Sequence, residues 1–461
     1  MGHVDRDELE LREVHRFRNG GVQVGEALYW DVLGLWREVV TGLSAAGRSA
    51  RAERGASVST VGVDSWAIDY GLLGSDGMLL GNPRHYRDAR SAGVAEHLLA
   101  GPVSLGKLYQ KNGLQHLPFT TLYQLVAEAR DPLLAAASTL LLIPDLFGYW
   151  LSGHRGAEAT NVSTTGLADV RTGRWDPDLV ALAGIRADLL PEVHEPGVVL
   201  GALRPQLLEQ TGLPASVRLT SVGSHDTASA VVAVPARDER FAYIACGTWA
   251  LVGVELEQPL LTEQSRSANF TNERGVDGRV RYLRNVTGLW VLNQCLAEWE
   301  GQGRPQQLER LLADAAAVQC GPVVDIDAPE LLPPGPMVSR LRHATQDGLS
   351  DEPAVITRCI LDGLARAFAL ALRDAVRLSG KEVDVVHMVG GGARNALLCQ
   401  LTADACEMPV LAGPVEATAL GNVLVQARAS GTVTGTVDDL RALVARTHRV
   451  LRYEPRAVPI R

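Results

Sequence analysis

The stretch VDVVHMVGGGARNALLCQLTADACEMPV, residues 383–410, decides the fold class of this chain. It begins with apolar and β-branched residues, passes through three consecutive glycines, and continues as a helical pattern. The same order recurs upstream, where VRLTSVGS at 217–224 leads into TASAVVAV at 227–234, and RFAYIACGT at 240–248 again ends in a glycine turn. Alternating strands, glycine turns and helices predict an α/β protein with buried strands.

A polar segment around Pro235 marks the expected domain boundary. The residues VPARDER, 234–240, separate a helical pattern from a new strand pattern. A chain of 461 residues is also too long for a single hydrophobic core. We therefore predict two domains, residues 1–236 and 237–461, with the last helix, around 436–448, packing back onto the rest of the protein.

Composition and charge exclude several classes of function. The net charge of −9 disfavours nucleic acid as a partner, because nucleic-acid-binding surfaces are basic. No apolar stretch approaches the roughly 20 residues that span a bilayer, and no signal-peptide pattern opens the chain. Lysine occurs only at 107, 111 and 381, and the Walker pattern GxxxxGK[ST] is absent. From the apolar stretches and the missing signal peptide we expect no membrane partner and a cytoplasmic location. The six cysteines form no CxxC pair, and in that compartment we expect them to be reduced.

The segment VGSHDTASA, 222–230, carries the first candidate for chemistry. Asp226 stands where a strand pattern gives way to a helix of small residues. A carboxylate at a helix start is commonly an N-cap, yet the carboxyl end of a strand is also where α/β proteins bind ligands. Such a carboxylate suits phosphoryl transfer, in which the base receives the hydroxyl proton late. The sequence leaves both interpretations open.

Two glycine turns are candidates for binding phosphate. In YIACGTWALVG, 243–253, Thr248 and the N–H group at Gly247 can face phosphate oxygens, or the segment is an ordinary hairpin turn. The run Gly390–Gly392 lets a phosphate or a flat ligand approach the backbone, or it makes a tight turn from strand to helix. The run does not match GxGxxG, so no dinucleotide site is predicted.

The stretch VSTVGVDSWAIDYGLL, 58–73, is typical of a β-hairpin. Trp66 and Asp69 lie near its expected tip, where an indole can stack on a sugar and a carboxylate can accept hydrogen bonds from hydroxyl groups. The alternative places Trp66 in the core and makes Asp69 a turn residue. Further along, Asn285 precedes an apolar helical pattern, so its default interpretation is an N-cap.

Taken together and in this order, the motifs resemble those of the FGGY carbohydrate kinases. The most specific are GVDSWAIDYGLL at 62–73, SHDTASA at 224–230, LRNVTGLW at 283–290 and GPVEATALGN at 413–422. The similarity is greatest to the branch of the family that phosphorylates L-rhamnulose. It implies two actin-like (ribonuclease-H-like) α/β domains with an interdomain cleft, the sugar lying mostly on the first domain and ATP mostly on the second.

The resemblance also implies a reaction and gives roles to single residues. The expected reaction is transfer of phosphate from ATP, with Mg²⁺, to the 1-hydroxyl of L-rhamnulose in L-rhamnose catabolism. Asp226 is implied as the catalytic base, no metal ligand is identified, and a monomer or homodimer is expected. The implied sugar contacts are Ala67, His225, Asp226, Thr227 and Asn285, and the implied nucleotide contacts are Thr248, Asn293 and Gly391.

Three features depart from the family pattern. Ala67 replaces a glycine, and its methyl group narrows the expected sugar pocket; Asn293 stands where a glutamine is usual. The opening strand and its phosphate loop, DLGASSGR or close to it, are expected to be absent, because GHVDRDELELREVHRF follows Met1 directly. A start codon assigned too late, a genuinely shortened protein or an expressed fragment would each explain this, and the intact remaining motifs favour the first. The alternative functions are a catalytically impaired sugar- or nucleotide-binding protein and a kinase for another 2-keto sugar.

Overall fold

Two compact units make up the protein. The computed structural model describes residues 1–101, 103–319, 322–346 and 348–456, so Cys320 lies outside it. Unit 1 comprises Met1–Ala233, Leu256–Arg281 and Thr418–Leu443, and unit 2 comprises Val234–Glu255, Tyr282–Ala417 and Val444–Arg461. The chain first leaves unit 1 three residues before the predicted boundary at 236. The two later returns to unit 1 differ from the prediction of two continuous domains.

The strands of the described residues range in length from 2 to 8 residues. In chain order they are β1 (Gly2–Val4), β2 (Leu9–Leu11), β3 (Gly21–Val24), β4 (Ala27–Trp30), β5 (Thr60–Val61), β6 (Tyr70–Leu73), β7 (Thr139–Leu142), β8 (Ala157–Glu158), β9 (Val193–His194), β10 (Val199–Ala202), β11 (Arg218–Thr220), β12 (Phe241–Cys246), β13 (Trp249–Leu256), β14 (Thr271–Arg274), β15 (Val280–Thr287), β16 (Val385–Val389), β17 (Val410–Ala412) and β18 (Leu451–Tyr453).

The helices lie between these strands, as expected for an α/β protein. They are α1 (Val32–Arg54), α2 (Val94–Leu99), α3 (Leu105–Asn112), α4 (Thr121–Ala127), α5 (Pro132–Ala136), α6 (Ile143–Ser152), α7 (Ala159–Val162), α8 (Pro177–Leu182), α9 (Pro205–Thr211), α10 (Asp226–Val232), α11 (Glu263–Ser267), α12 (Trp290–Gly301), α13 (Leu308–Ala317), α14 (Met337–Ala344), α15 (Pro353–Ser379), α16 (Ala396–Cys406), α17 (Ala417–Ala429) and α18 (Val437–Thr447), with short 3-10 turns at 89–91, 187–189, 276–278, 329–331 and 391–394.

The residues 58–73 do not form the predicted hairpin. β5 pairs in parallel with β11, whereas β6 pairs antiparallel with β7, with Tyr70 opposite Leu142. Between β5 and β6 the chain turns sharply at Ile68, whose φ of +70° is a backbone conformation that a β-branched residue rarely adopts. The two halves of the segment therefore belong to different sheets.

The sheet of unit 2 explains the stretch that predicted the fold class. Six strands follow one another in the order β15-β13-β12-β16-β17-β18. β16 lies between β12 and β17, parallel to both, and is buried over four of its five residues. A strand covered by neighbours and helices is expected to be mostly apolar. The run VVHMV fits this, with the buried His387 as its single polar residue. Asn395 then caps α16 by accepting a 3.0 Å hydrogen bond from Leu398 N.

Helix α10 of unit 1 is buried along its whole length after its first residue. A Cβ atom at Gly421 of α17 would collide with the carbonyl of Ser229, so only glycine allows the two helices to pack this closely. From α18, the fully buried Arg441 donates a 3.0 Å hydrogen bond to Val231 O at the end of α10. Both helices thus fix the position of α10. No described helix combines the length and apolarity needed to cross a membrane.

Candidate active site

A backbone ladder holds the loop that precedes α10. Ser65 N donates to Ser224 O over 2.9 Å, and Asp226 N donates to Ser65 O over 2.9 Å. The segment that carries Ala67 therefore runs beside the segment that carries His225, Asp226 and Thr227. The structure brings these four predicted sugar-site residues of unit 1 into one region.

Glu158, to which no sequence motif pointed, also holds the loop that precedes α10. Its side chain is almost completely buried, and its Oε2 accepts hydrogen bonds from Ser224 N at 2.9 Å and Ser224 Oγ at 2.8 Å. Thr160 donates to the two carboxylate oxygens through its N and Oγ1, at 2.8 and 2.5 Å. Burial raises the pKa of Glu158, and these hydrogen bonds act against that rise. The carboxylate is thus the structural anchor of the loop.

Asp226 is not the N-cap of α10. The N-cap is His225, and no side chain in the described part of the chain caps this helix. The Asp226 side chain is 46% exposed, and Thr227 Oγ1 donates to its Oδ1 over 3.2 Å. The capping interpretation is therefore wrong. The carboxylate remains accessible to a bound substrate.

His225 is held by two buried charged residues that the sequence did not reveal. Its Nδ1 lies 3.0 Å from Arg281 Nη2 and 3.4 Å from Glu273 Oε2, and Arg281 and Glu273 are 3.1 Å apart. Its other nitrogen, Nε2, lies 3.6 Å from Asp226 Oδ1. Arg281 lies 56 residues from His225 in the sequence, so no local sequence pattern predicts this contact.

Asp64 is a second carboxyl group near Asp226. The side-chain amide of Asn422 donates to its Oδ2, and Asn422 also donates to Gly62 O over 3.3 Å. Gln426 then donates to Asn422 Oδ1 over 2.5 Å. Burial, helped by the charge of Asp226, raises the pKa of Asp64 to about 7, against the lowering effect of the Asn422 hydrogen bond. Asp64 and Asn422 lie within motifs noted in the sequence, but their pairing did not follow from it.

Asp69 is fully buried, and protein groups occupy both of its oxygens. Trp30 and Trp66 donate their indole N–H groups to Oδ2 at 2.6 and 3.1 Å, and Gln124 Nε2 donates to Oδ1 at 3.0 Å. Of the two interpretations of Asp69, the one in which it accepts hydrogen bonds from sugar hydroxyl groups is therefore wrong, because its side chain is not exposed. Trp66 is half-buried and packs on Trp30, with ring centroids 4.1 Å apart.

In unit 2, the two glycine turns lie side by side. β12 and β16 run in parallel with Ala245 opposite Val389, so the turns that follow them share one sheet edge. Thr248 and Gly391 are both exposed there. The turn at Gly247 is a hairpin turn between antiparallel strands, and Gly247 N donates to Trp249 O over 2.8 Å. Of the two interpretations of this turn, the hairpin is therefore the one observed, and the N–H of Gly247 is not available to a phosphate.

The remaining predicted residues of unit 2 lie close to the start of α12. Asn285 sits within β15, and α12 begins only at Trp290, so the N-cap interpretation of Asn285 is wrong. Asn293 is exposed in the first turns of α12. The backbone N–H groups of Leu289 and Trp290 donate to the carbonyls of Gly247 and Thr248 at 2.9 and 3.2 Å. These bonds join the Thr248 turn to the helix that carries Asn293.

Comparison with known protein families shows which family this chain belongs to. Residues 26–233 match the N-terminal domain of the FGGY family of carbohydrate kinases, and residues 242–430 match its C-terminal domain. The chain belongs to the FGGY family of carbohydrate kinases. It is accordingly a kinase, a phosphotransferase with an alcohol group as acceptor. The resemblance predicted from the motifs is confirmed.

Individual FGGY proteins are similar over nearly the whole chain. The rhamnulokinase of Bacteroides thetaiotaomicron is 37% identical over 99% of this chain and 93% of its own length. The rhamnulokinase of Bacillus subtilis is 34% identical over the same shares. Among solved structures, the xylulose kinase of Lactobacillus acidophilus matches with a TM-score of 0.77 at 16% identity, over 95% of this chain and 88% of that one. The predicted two-domain, actin-like fold is confirmed.

Proposed function

We propose that this FGGY kinase phosphorylates L-rhamnulose at its 1-hydroxyl, with ATP as donor, in L-rhamnose catabolism. The rhamnulokinases to which it is similar support this choice of sugar. The observation that carries the proposal is the Asp226 carboxylate, which stands accessible and uncapped at the start of α10. A carboxylate that does not cap the helix and stays accessible at this position can accept a proton from a bound hydroxyl group.

In the proposed reaction Asp226 accepts the proton of the 1-hydroxyl as O1 attacks the γ-phosphorus. A new O1–P bond forms while the bond from phosphorus to the β–γ bridging oxygen breaks, and ADP leaves with that electron pair. The proton passes from Asp226 to solvent after product release. His225, Thr227 and Ala67 line the proposed sugar site in unit 1, and Asn285 is the sugar contact proposed for unit 2.

The ATP phosphates are proposed to bind at the turn edge of unit 2, through Thr248, Asn293 and Gly391. The exposed hydroxyl of Thr248 fits this role, and an ideal Cβ at Gly391 has its nearest neighbour 4.0 Å away, which leaves room for a ligand over the backbone. Mg²⁺ commonly binds through substrate phosphates and one or two carboxylates, so it needs no dedicated protein cage. When bound, it neutralises phosphate charge; no protein ligand is assigned to it.

The proposed setting is the cytoplasm, with the protein as a monomer or homodimer. The described cysteines are all free thiols, and four of the five are buried. Free thiols suit a reducing compartment. A kinase that draws on cellular ATP also works where ATP is abundant.

The test is sugar-dependent ADP release by the 461-residue chain, measured with L-rhamnulose beside xylulose and other ketoses. We expect L-rhamnulose to give the highest kcat/KM. Asp226→Asn should lower kcat by roughly 10²–10⁴-fold while sugar binding, followed by calorimetry, persists. Asp178→Asn is the matched control, since Asp178 is also acidic in the first turn of a helix but is 81% exposed and pairs with Lys111.

Three results would contradict the proposal. Near-normal turnover in Asp226→Asn would remove Asp226 as the base. Equal activity on xylulose would favour a kinase for another 2-keto sugar. Binding of sugar or ATP without any ADP formation would favour the catalytically impaired binding protein.

A further inference from the structure

We propose that Arg281, paired with Glu273, is a positioning residue that holds His225 as the tautomer protonated on Nε2. In this form the Nε2–H group points toward Asp226 and donates to the oxygen of the substrate that neighbours the reacting hydroxyl. The sugar contact rests on the proposed function, whereas the tautomer rests only on the arrangement of the three side chains.

The tautomer follows from the donor that faces Nδ1. Arg281 Nη2 lies 3.0 Å from Nδ1 of His225. A guanidinium group carries only donors and stays protonated in proteins. Nδ1 must therefore offer its lone pair, and a neutral imidazole then carries its single proton on Nε2.

Glu273 competes for the same nitrogen, and geometry decides between the two. Its Oε2 lies 3.4 Å from Nδ1, farther than the Arg281 nitrogen, and only 3.1 Å from Arg281 Nη2. A proton on Nδ1 would point at the N–H groups of Arg281 inside the protein. Arg281 is fully buried and the Glu273 side chain is 5% exposed, so solvent cannot relieve that conflict. Glu273 instead balances the charge of Arg281.

The backbone fixes where the guanidinium points. Arg281 Nε donates to Arg274 O over 3.1 Å, and Arg274 N in turn donates to Ser163 Oγ over 2.9 Å. On the other side, His225 N donates to Thr160 Oγ1 over 3.2 Å. The backbone of His225 and the guanidinium of Arg281 are thus each linked to the segment 158–163 of unit 1.

The Nε2–H group is left available for substrate. Its distance of 3.6 Å to Asp226 Oδ1 is too long for a hydrogen bond. An acceptor oxygen bound next to Asp226 can therefore take this hydrogen, while the adjacent hydroxyl gives its proton to the carboxylate. Such a pair of groups distinguishes two neighbouring oxygens of one sugar, one as acceptor and one as donor.

The tautomer can be measured without any reaction. In protein labelled with ¹⁵N-histidine, long-range proton–nitrogen spectra distinguish the two tautomers, and His225→Asn identifies the His225 signals by their loss. We expect the Nε2–H form in the wild type. Arg281→Met should shift His225 toward Nδ1–H, because Glu273 Oε2, an acceptor 3.4 Å from Nδ1, then faces this nitrogen without the competing donor of Arg281. It should also raise the KM for sugar about ten-fold without changing the KM for ATP.

Two further variants test whether the donor at Arg281 sets the tautomer. Arg281→Lys keeps a donor at this position and should retain most of the Nε2–H form. Arg279→Met is the matched control: it removes an arginine two residues earlier in the chain, one that pairs with Asp438, and should leave the tautomer and the KM for sugar unchanged. Should Arg281→Met not fold, the wild type and Arg281→Lys still give the tautomer.

An Nδ1–H or doubly protonated His225 in the wild type would overturn the proposal. So would a tautomer that does not change in folded Arg281→Met. If the Nε2–H form is found but L-rhamnulose is not phosphorylated, the proposed function fails and the assignment of the tautomer stands.

Discussion

Trp30 donates its indole N–H to Oδ2 of Asp69 over 2.6 Å, beneath the segment that carries Ala67. The same oxygen accepts from Trp66 Nε1 and from Tyr86 N at 3.1 and 3.2 Å. Burial raises the pKa of Asp69 to about 6, and the hydrogen bonds from Trp30 and Gln124 oppose that rise. This carboxylate thus holds together the side chains of Trp30 and Trp66 and the backbone of Tyr86. It serves the structure of the site and does not contact solvent.

Replacing Asp69 with alanine should therefore destabilise unit 1. The change leaves several buried donors without an acceptor, and each such group costs about 1–3 kcal/mol. It also removes the anchor next to Ile68, whose φ of +70° is strained. We expect a loss of roughly 3–5 kcal/mol in the free energy of unfolding, seen as a lower urea midpoint by tryptophan fluorescence.

The control is Asp76→Ala, in an exposed turn where Asp76 accepts a single hydrogen bond from Met78 N at 2.9 Å. It should cost less than about 1 kcal/mol. Equal midpoints for the two variants would show that the Asp69 cluster carries no special stability.

Asp64→Asn should change how stability depends on pH. With a pKa of about 7 in the folded protein and an ordinary value of 3.8, Asp64 keeps a proton that the unfolded chain releases between about pH 4 and pH 7. The free energy of unfolding therefore falls as pH rises through this window. Asparagine still accepts from Asn422 but does not ionise. From pH 5 to pH 7 the variant should gain about 1–3 kcal/mol relative to the wild type.

The measurement is a series of urea denaturation curves of both proteins from pH 4.5 to pH 8. Other raised carboxyl groups, such as Asp69, contribute equally to both proteins and cancel in the difference. Parallel stability curves for the two proteins would contradict a raised pKa at Asp64.

The sequence predicted the α/β class because local patterns carry it. β16, the glycine turn and α16 follow one another within 22 residues. The apolar strand, the glycines of the turn and the residue that caps the helix can therefore all be read from one short stretch of sequence. The site depends instead on partners distant in sequence. Asn422 lies 358 residues from Asp64, and the returns of the chain at 256–281 and 418–443 leave no local signal. Tertiary packing alone brings these residues together.

Two neighbouring glycines of the turn at 390–392 should respond differently to alanine. A Cβ at Gly392 would lie 2.5 Å from Cys246 Sγ, whereas a Cβ at Gly391 meets nothing closer than 4.0 Å. Gly392→Ala should lower the free energy of unfolding by roughly 1–3 kcal/mol, because a buried contact must shift. Gly391→Ala should leave stability unchanged and raise the KM for ATP.

Each variant is the control for the other in denaturation and steady-state kinetics. A Gly391→Ala protein with the KM for ATP of the wild type would argue against nucleotide binding over this turn. A Gly392→Ala protein of full stability would mean that Cys246 moves aside at little cost.

Glu158→Gln should loosen the loop that presents Asp226. Glutamine puts an amide group where one carboxylate oxygen now accepts, so it must face either Thr160 N or the Ser224 donors. Two donors facing each other in the interior cost about 1–3 kcal/mol of stability. Because Ser224 lies two residues before the proposed base, kcat should fall more than the KM for sugar rises. Glu209→Gln, on the surface of α9, is the control. Unchanged kcat in a destabilised Glu158→Gln would show that the loop keeps its geometry without the carboxylate, and would assign Glu158 to stability alone.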